Sequence, residues 1–408
     1  MRIFVLLIII MALATIYYAS NATIVYRSDT DVGGCGRDCL SIVEWNNGTG
    51  ALTAEAKLGI NTTKDIREVR VKYSPVNQKR IAIAENTFGE LNLYVSWNGV
   101  TWYHTKNFTD LWTTTPSIHY RGFDFAFESA TGDAIIVFSP TSTSTTCELS
   151  YLTVLANETN LSTTVTTCID DNSSGATDLQ YGYVVMASDP VSTSEEILIV
   201  GQDRTGDDRM AFVWNVSAIG NTIEFTLDSS ATGDTEDIGV AYSADGSDGI
   251  VIAGNGTAGT AGARIWDGAI WTTANVQDLT SGTDDIKWIS CGRSDPATDD
   301  VMFIAITSDG GMSSAYWNGS AWYAAIDLDT GTDATATRAA DFAWNPSGST
   351  GQLVWDTDTT GTTISNKSFG TTAGAWTAGS STHSTYIGTG AWMLLGGNPT
   401  DAEAINIL

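Results

Sequence analysis

The sequence predicts an all-β fold, a seven-bladed β-propeller with terminal-strand closure, preceded by an N-terminal hydrophobic segment. Three observations predict it: a hairpin motif that recurs along the chain, an apolar strand that recurs between the hairpins, and a nearly constant spacing of the two. A period of roughly fifty residues built from strands indicates a propeller, because one four-stranded blade cannot bury both faces alone and must stack on its neighbours.

The hairpin motif is Trp-Asn/Asp-Gly-x-x-Trp, which is complete at Trp97 to Trp102, Trp266 to Trp271 and Trp317 to Trp322. Asn-Gly and Asp-Gly are strong signals for a tight β-turn, and aromatic residues on both sides can pack across the two strands. Looser copies extend the series to anchors that lie 51 to 59 residues apart: Trp45, Trp97, Leu155, Trp214, Trp266, Trp317 and Phe369.

The second repeating feature is a short apolar run after a turn that contains Pro, Asp or Gly. It is expected to form the second strand of each blade, and it occurs at Ile81–Ala84, Ile135–Phe138, Ile197–Val200, Ile250–Ala253, Met302–Ala305, Leu353–Trp355 and Ile405–Leu408. With the hairpin joining the third and fourth strands, the chain opens on a third strand. Residues Ala391 to Leu408 then complete that blade from the other end, which leaves no exposed sheet edge.

One strand exceeds what seven blades need. Ile24 to Tyr26 resembles a second strand, and it competes with Ile405 to Leu408 for one place in the split blade. Either the blade takes a fifth strand, or one segment pairs with a neighbouring molecule by strand addition. The second arrangement predicts a self-associating, polymerising subunit with Ile3 to Tyr26 as its linking arm.

The chain divides into residues 1–22, a signal peptide or a retained hydrophobic helix, 23–38, an arm with the extra strand, and 39–408, the propeller. The apolar run Ile3 to Ala19 follows one positive charge, and Ser20-Asn21-Ala22 offers a cleavage site. If the run is retained, residues 3–19 are the only predicted contact with a membrane. Either reading predicts an extracellular or cell-surface location.

The net charge of −28 excludes nucleic acid as a partner, because phosphate binding needs a basic face and the chain has only 19 Lys and Arg. Asn-x-Ser/Thr sequons are numerous, which favours a glycosylated exterior protein. The candidate glycosylation sites are Asn47, Asn61, Asn107, Asn157, Asn160, Asn172, Asn215, Asn255, Asn318 and Asn366.

The five cysteines fit an oxidising compartment. Cys35 and Cys39 lie four residues apart, Cys147 and Cys168 flank the third hairpin, and both pairs are candidate disulfides. Cys291 is left over and is expected to be buried. The three histidines are scattered, which argues against zinc.

Acidic, glycine-containing loops make calcium the one candidate ligand ion, since closely spaced aspartates can turn several oxygens toward a hard cation. Solvated turn residues are the competing interpretation. The candidate ligands are Asp29, Asp31, Asp38, Asp356 and Asp358, and no other cofactor is predicted.

No nucleophile motif, phosphate loop or metalloprotease helix is present, and the sequence predicts that the protein is not an enzyme. Carboxylates such as Glu128, Asp178 and Asp285 could still meet across a central channel. Most tryptophans occupy repeat-equivalent positions and are expected to pack between blades. Tyr103, Trp112 and Trp288 fall off the pattern and are better candidates for surface contacts.

Ser96-Trp97-Asn98-Gly99-Val100-Thr101-Trp102 resembles the Asp-box turn of sialidase-type propellers, Ser-x-Asp-x-Gly-x-x-Trp. It has Asn in place of Asp and lacks the spacer before Gly. In that family the box is structural and the catalytic residues lie elsewhere on the blades, so the resemblance implies only the architecture.

The chain resembles archaeal surface proteins in its acidity, its sequon density and its lack of predicted helix. The sequence therefore predicts an extracellular structural or adhesive glycoprotein, in one version the self-assembling subunit of a surface filament, with glycans or neighbouring surface proteins as further partners. The alternative is a carbohydrate-binding or sialidase-like glycan-processing propeller.

Overall fold

The computed structural model describes residues 22–28, 39–46, 51–52, 56–58, 66–86, 89–108, 121–140, 147, 149–158, 161, 166–169, 181–203, 209–225, 235–254, 259–272, 275–278, 285–290, 292–323, 326–329, 340–345, 347–356, 364–370, 375–377, 381–383, 395–397 and 405–407. These residues form antiparallel strands and turns, and no helix occurs among them. The predicted all-β class is confirmed. The described part of the chain thus offers no helix that is long and apolar enough to cross a bilayer.

The first half of the chain forms four sheets of four strands each. Sheet 1 contains β1 (Ala22–Ser28), β2 (Cys39–Asn46), β3 (Ala51–Leu52) and β4 (Ala56–Leu58). Sheet 2 contains β5 (Ile66–Tyr73), β6 (Arg80–Asn86), β7 (Leu91–Ser96) and β8 (Trp102–Phe108). Sheet 3 contains β9 (Phe123–Phe127), β10 (Ala134–Phe138), β11 (Leu149–Val154) and β12 (Thr167–Ile169). Sheet 4 contains β13 (Tyr181–Ser188), β14 (Ile197–Asp203), β15 (Arg209–Asn215) and β16 (Ala218–Phe225).

The second half adds three sheets of four or five strands and a terminal pair. Sheet 5 contains β17 (Ile238–Tyr242), β18 (Gly249–Gly254), β19 (Thr260–Trp266) and β20 (Asn275–Asp278). Sheet 6 contains β21 (Ile286–Ile289), β22 (Arg293–Ser294), β23 (Asp300–Thr307), β24 (Met312–Asn318) and β25 (Ile326–Asp329). Sheet 7 contains β26 (Ala340–Trp344), β27 (Thr350–Asp356), β28 (Ile364–Gly370), β29 (Ala375–Trp376) and β30 (Ser381–His383). The terminal sheet contains β31 (Leu395–Gly397) and β32 (Ile405–Ile407).

The core lies in the seams between consecutive sheets, and six hydrophobic clusters fill the six seams from sheet 1 to sheet 7. Each second strand serves two seams because alternate side chains point to opposite faces of a sheet. In β10, Ile136 and Phe138 pack toward sheet 2, whereas Ile135 and Val137 pack toward sheet 4. A strand buried on both faces needs a continuous apolar run, which is why these strands could be recognised in the sequence.

The first strands of consecutive sheets lie side by side: β9 packs on β5 and β13, β17 packs on β13, and β31 packs on β26. The turns after these strands also join neighbouring sheets. Ala130 N–H donates to Ser194 O at 2.8 Å between sheets 3 and 4. Ser349 N–H donates to Asp295 Oδ2 at 2.7 Å between sheets 6 and 7.

The N-terminal end of the described chain differs from the expected closure, and the C-terminal end leaves it untested. β1 pairs with β2 along its whole length, from Ala22 opposite Trp45 to Ser28 opposite Cys39, so the chain does not open on a third strand. Within the described residues β32 pairs only with β31, so its predicted pairing with the N-terminal sheet stays a prediction. Residues 1–21, which include the predicted hydrophobic segment, lie outside the described part.

Candidate functional site

The recurring hairpin turns are closed by the side chain of their Asn or Asp. Asn98 Oδ1 accepts hydrogen bonds from Val100 N–H at 2.9 Å and Thr101 N–H at 2.8 Å. Asp267 Oδ1 makes the equivalent bonds at 2.9 and 2.8 Å. The following glycines have positive φ, 69° at Gly99 and 86° at Gly268, which a residue with a Cβ rarely adopts. The motif is therefore a turn device and not in itself a ligand site.

The aromatic residue before the turn packs onto the preceding sheet in sheets 4 to 7, where it is Trp214, Trp266, Trp317 and Phe369. Two of these indoles also form hydrogen bonds across the seam. Trp214 Nε1–H donates to Glu128 Oε1 and Trp266 Nε1–H donates to Glu196 Oε1, both at 2.7 Å. These bonds hold the seams closed at the turn end, as inter-blade packing of the tryptophans requires.

Sheet 2 departs from this pattern by one residue of register. Its second strand begins opposite Ser96, since Arg80 pairs with Ser96, whereas Gly249 in sheet 5 pairs with Trp266 itself. A shift of one residue moves a side chain to the other face of a sheet. Trp97 accordingly packs toward sheet 3, where Lys79 Nζ lies 5.0 Å from its ring centroid.

The tryptophan before the turn therefore does not enter the seam between sheets 1 and 2. Trp102, which follows the turn and lies opposite Ser96, packs there, and three other side chains also meet at this seam. Arg80 Nη1–H donates to Glu44 Oε1 at 2.6 Å, which joins β6 to β2 across the seam. The Arg80 guanidinium carbon lies 5.1 Å from the ring centroid of Tyr73. Side-chain exposure is 14% for Arg80 and 23% for Glu44, and Tyr73 is 40% exposed, so the group opens to solvent.

We name Glu44, Tyr73 and Arg80 the seam cluster. Its chemistry is a planar fork of N–H donors, a carboxylate acceptor and an aromatic face side by side. That combination can hold a molecule that presents hydroxyl groups on one side and C–H groups on another. These three residues could not be predicted from the sequence. The repeats align on the hairpin turn, and the register shift is visible only in the strand pairing.

A second set of charges lies along the first strands of sheets 2, 3, 4 and 5. Lys72 Nζ lies 3.0 Å from Asp124 Oδ1, and Asp124 Oδ2 accepts from Met186 N–H at 2.9 Å. Arg121 Nη2 lies 2.6 Å from Glu236 Oε1. Because Asp124, Arg121 and Glu236 are buried, we assign these ion pairs a structural role in holding the sheets together.

A deeper ion pair spans the seam between sheets 4 and 5. The Arg209 guanidinium, which is fully buried, forks onto Asp237 with Nε to Oδ1 at 3.2 Å and Nη2 to Oδ2 at 2.6 Å. Desolvation is the largest effect on Asp237 and raises its pKa, while the charge of Arg209 opposes that rise. The pair has no opening for a ligand.

The two candidate catalytic carboxylates that the structure describes, Glu128 and Asp285, lie beside different sheets. Glu128 is buried and occupied by Trp214. Asp285 is exposed, and its carbonyl accepts from Ser308 N–H. Asp178 lies outside the described residues.

The aromatic predictions divide as well. Tyr103 is 51% exposed, as expected of a surface residue. Trp288 is only 9% exposed and packs in the seam between sheets 6 and 7, so its assignment to the surface was wrong. It missed the repeat pattern because it lies on a first strand rather than in a hairpin. Trp112 lies outside the described residues.

The predicted calcium ligands are not tested by the structure. Asp29, Asp31, Asp38 and Asp358 lie outside the described residues, and only the backbone of Asp356, at the end of β27, is described. Among described side chains, no group of three or more His, Cys, Asp or Glu could hold a metal ion.

Of the two predicted disulfides, the structure contains Cys147–Cys168, with Cα atoms 5.5 Å apart. It closes the hairpin of sheet 3, where Cys168 is opposite Ser150. Cys35, the side chain of Cys39 and Cys291 are outside the described part.

The described sequons differ in accessibility. Asn107, Asn157 and Asn215 are exposed. Asn318 is partly buried and caps its own turn, and Asn366 lies within β28 and accepts from Gln352 Nε2 at 3.2 Å. Asn47, Asn61, Asn160, Asn172 and Asn255 lie outside the described residues.

No family model matches the chain, and no curated protein matches its sequence. Solved structures do match. A lectin from Burkholderia pseudomallei, BP39L, is 12% identical and superposes with a TM-score of 0.56 over 91% of this chain and 96% of its own.

Two fungal structures match less well. The Aleuria aurantia lectin, described as a six-bladed β-propeller with a novel mode of fucose recognition, is 13% identical with a TM-score of 0.42 over 77% of this chain and 92% of its own. AofleA from Arthrobotrys oligospora is 11% identical with a TM-score of 0.40 over 79% and 90%. At these identities a likeness shows architecture alone. The stacked four-stranded sheets and the similarity to BP39L together support a β-propeller fold for this chain.

Proposed function

We propose that this protein is an exterior carbohydrate-binding propeller, without enzymatic activity, that holds an uncharged sugar at the seam cluster of Glu44, Tyr73 and Arg80. The observation that carries the proposal is an Arg–carboxylate pair beside a half-exposed aromatic ring at the seam between sheets 1 and 2, from which Trp97 is turned away. That a solved structure with a similar fold, BP39L, is a lectin adds support.

The interactions needed are ordinary ones. The Arg80 guanidinium donates to sugar hydroxyl oxygens, the Glu44 carboxylate accepts from sugar hydroxyls, and the Tyr73 ring packs on sugar C–H groups. Because Arg80 is already neutralised by Glu44 and the chain carries a net charge of −28, sialylated, uronic or sulfated glycans are repelled. Neutral hexoses are the expected class.

A glycan array followed by calorimetry tests the proposal. The wild-type protein is expected to bind neutral glycans, and R80A and Y73A are each expected to weaken binding at least about tenfold. Y103A removes a comparably exposed tyrosine from β8 and is the matched control, expected to bind as wild type. Absence of glycan binding by the wild type, or unchanged binding in both seam variants, would refute the assignment.

We also propose that the ring has seven blades and that the N-terminal and terminal sheets complete it together. The support is that β31 continues the row of first strands while sheet 1 packs on sheet 2. The Asp-box resemblance, a glycosylated surface location and an archaeal type of surface protein belong to the same proposal.

Filament assembly stays a prediction, with fewer segments available to link neighbouring chains. Residues 22–28 of the arm pair with β2 of their own chain, so strand donation to a neighbour would use residues 1–21 or the competing segment Ile405 to Leu408. Electron microscopy of full-length protein beside a variant that begins at residue 22 distinguishes the cases. Filaments or rows from the full chain alone support assembly, and single particles from both exclude it.

A further inference from the structure

Two hairpin turns place an asparagine before glycine and surround its side-chain carbonyl with donors. Asn98 Oδ1 accepts from two backbone N–H groups at 2.9 and 2.8 Å. Asn318 Oδ1 accepts from Ala321 N–H at 2.9 Å and from the N–H and Oγ–H of Ser320 at 3.2 and 3.1 Å. In the described part of the structure, the N–H groups of Gly99 and Gly319 donate to no other group.

This arrangement favours attack on the side-chain amide. Donors aimed at an oxygen stabilise the negative charge that develops on it when a nucleophile adds to the attached carbon. The nucleophile at hand is the backbone nitrogen of the next residue, and glycine has no Cβ to obstruct its approach. The turn thus holds the electrophile, the charge-stabilising donors and an unengaged nucleophile together.

We propose that Asn98 and Asn318 are sites of spontaneous deamidation promoted by the folded hairpin. The nitrogen of Gly99 loses its proton and forms a bond to Cγ of Asn98, the Cγ–Nδ2 bond breaks, and ammonia leaves with that proton. Water then opens the cyclic imide, at Cγ to give aspartate or at the backbone carbonyl to give isoaspartate. Each event replaces a neutral amide by a carboxylate.

The aspartate product already has a counterpart in the fold. Asp267 occupies the same turn position and its Oδ1 makes the same two bonds. Isoaspartate lengthens the backbone by one carbon inside the turn and does not fit. At Asn318 the leaving nitrogen is also the atom that a glycan would occupy, so glycosylation there blocks the reaction.

Peptide mapping by mass spectrometry tests the proposal on non-glycosylated full-length protein incubated near pH 8. The expected result is conversion at Asn98 and Asn318 at a rate roughly tenfold or more above that of Asn215, the control in an equivalent hairpin that is followed by Val216. The N98D variant is expected to melt like the wild type.

The role of the fold is tested by repeating the incubation in denaturant. Rates at Asn98 and Asn318 that fall on unfolding support the proposal. Rates that rise on unfolding show that the hairpin protects these residues, and they overturn it, as does conversion of Asn215 at the same rate in the folded protein.

Discussion

The indole of Trp266 in sheet 5 and the carboxylate of Glu196 in sheet 4 form a hydrogen bond of 2.7 Å across a seam. Tyr242 Oη–H donates to the same oxygen at 2.6 Å, so one carboxylate collects two donors from the next sheet. Trp214 and Glu128 repeat the relationship one seam earlier. These hydrogen bonds fix the position of consecutive sheets relative to each other at the end that carries the hairpin turns.

Removing the indole N–H should loosen its seam. W266F keeps an aromatic ring but removes a donor to a charged acceptor, and we expect the free energy of unfolding to fall by about 1.5–3 kcal/mol in a urea titration. Trp322 is the matched control, because its Nε1 is buried without a hydrogen-bond partner among the described residues. W322F should be close to neutral, and equal losses in the two variants would contradict a specific role for the Trp266 bond.

The buried pair of Arg209 and Asp237 should tolerate joint replacement better than single replacement. D237A removes the carboxylate that accepts two hydrogen bonds from the fully buried guanidinium of Arg209, which is expected to cost about 3–5 kcal/mol. The double variant R209M/D237L removes both charges and should recover most of that loss. Urea denaturation of both variants and of R209M measures the coupling, and additive losses would disprove it.

Stability should decrease as the pH rises from mildly acidic values toward neutrality. Burial raises the pKa of Glu128 above its usual 4.5, and burial likewise raises the pKa of Asp248 above 3.8. Carboxyls whose pKa is raised by folding contribute stability that is complete below their usual pKa and is lost as the pH passes the raised value. Repulsion within a chain of net charge −28 acts in the same direction.

Melting temperatures between pH 4.5 and 8 measure this dependence. E128Q keeps an oxygen acceptor for Trp214 but cannot ionise, so its melting temperature should vary less with pH than that of the wild type. A wild-type melting temperature that rises steadily toward pH 8 would show that these groups do not govern stability.

The Cys147–Cys168 disulfide should stabilise sheet 3. It closes a loop of 21 residues, for which chain entropy predicts a contribution of about 3 kcal/mol. C147S/C168S should therefore melt at a lower temperature than the oxidised protein. If the two melt alike, the bond constrains little that β11 and β12 do not already fix.

Much of the architecture could be predicted from sequence because the signals are local. A tight turn that needs Asn98-Gly99 and a strand buried on both faces, such as β10, each mark the chain within a few residues. Repetition of such signals is sufficient to predict stacked sheets of strands. The same reasoning assigned most tryptophans to seams.

Other features depend on pairing between distant segments. Nothing near Trp97 shows that Arg80 pairs with Ser96, so the reversal of Trp97 and the meeting of Arg80 with Glu44 were not foreseen. Likewise, Ile24 to Tyr26 and Ile405 to Leu408 have similar sequence patterns, and only the pairing of β1 with β2 shows that the first of them lies beside β2.

The sequence by itself determined the strand class, the repeat, the turn chemistry and one disulfide, because each depends on residues that are close in the chain or on the alternation of a single strand. The tertiary structure alone decided the register of sheet 2, the strand beside β2 and the side chains that face each other across a seam. Two alternative registers of a strand pair can differ by a shift of one residue along the strand. Such a shift leaves the local turn and strand preferences unchanged but moves each side chain to the opposite face of the sheet.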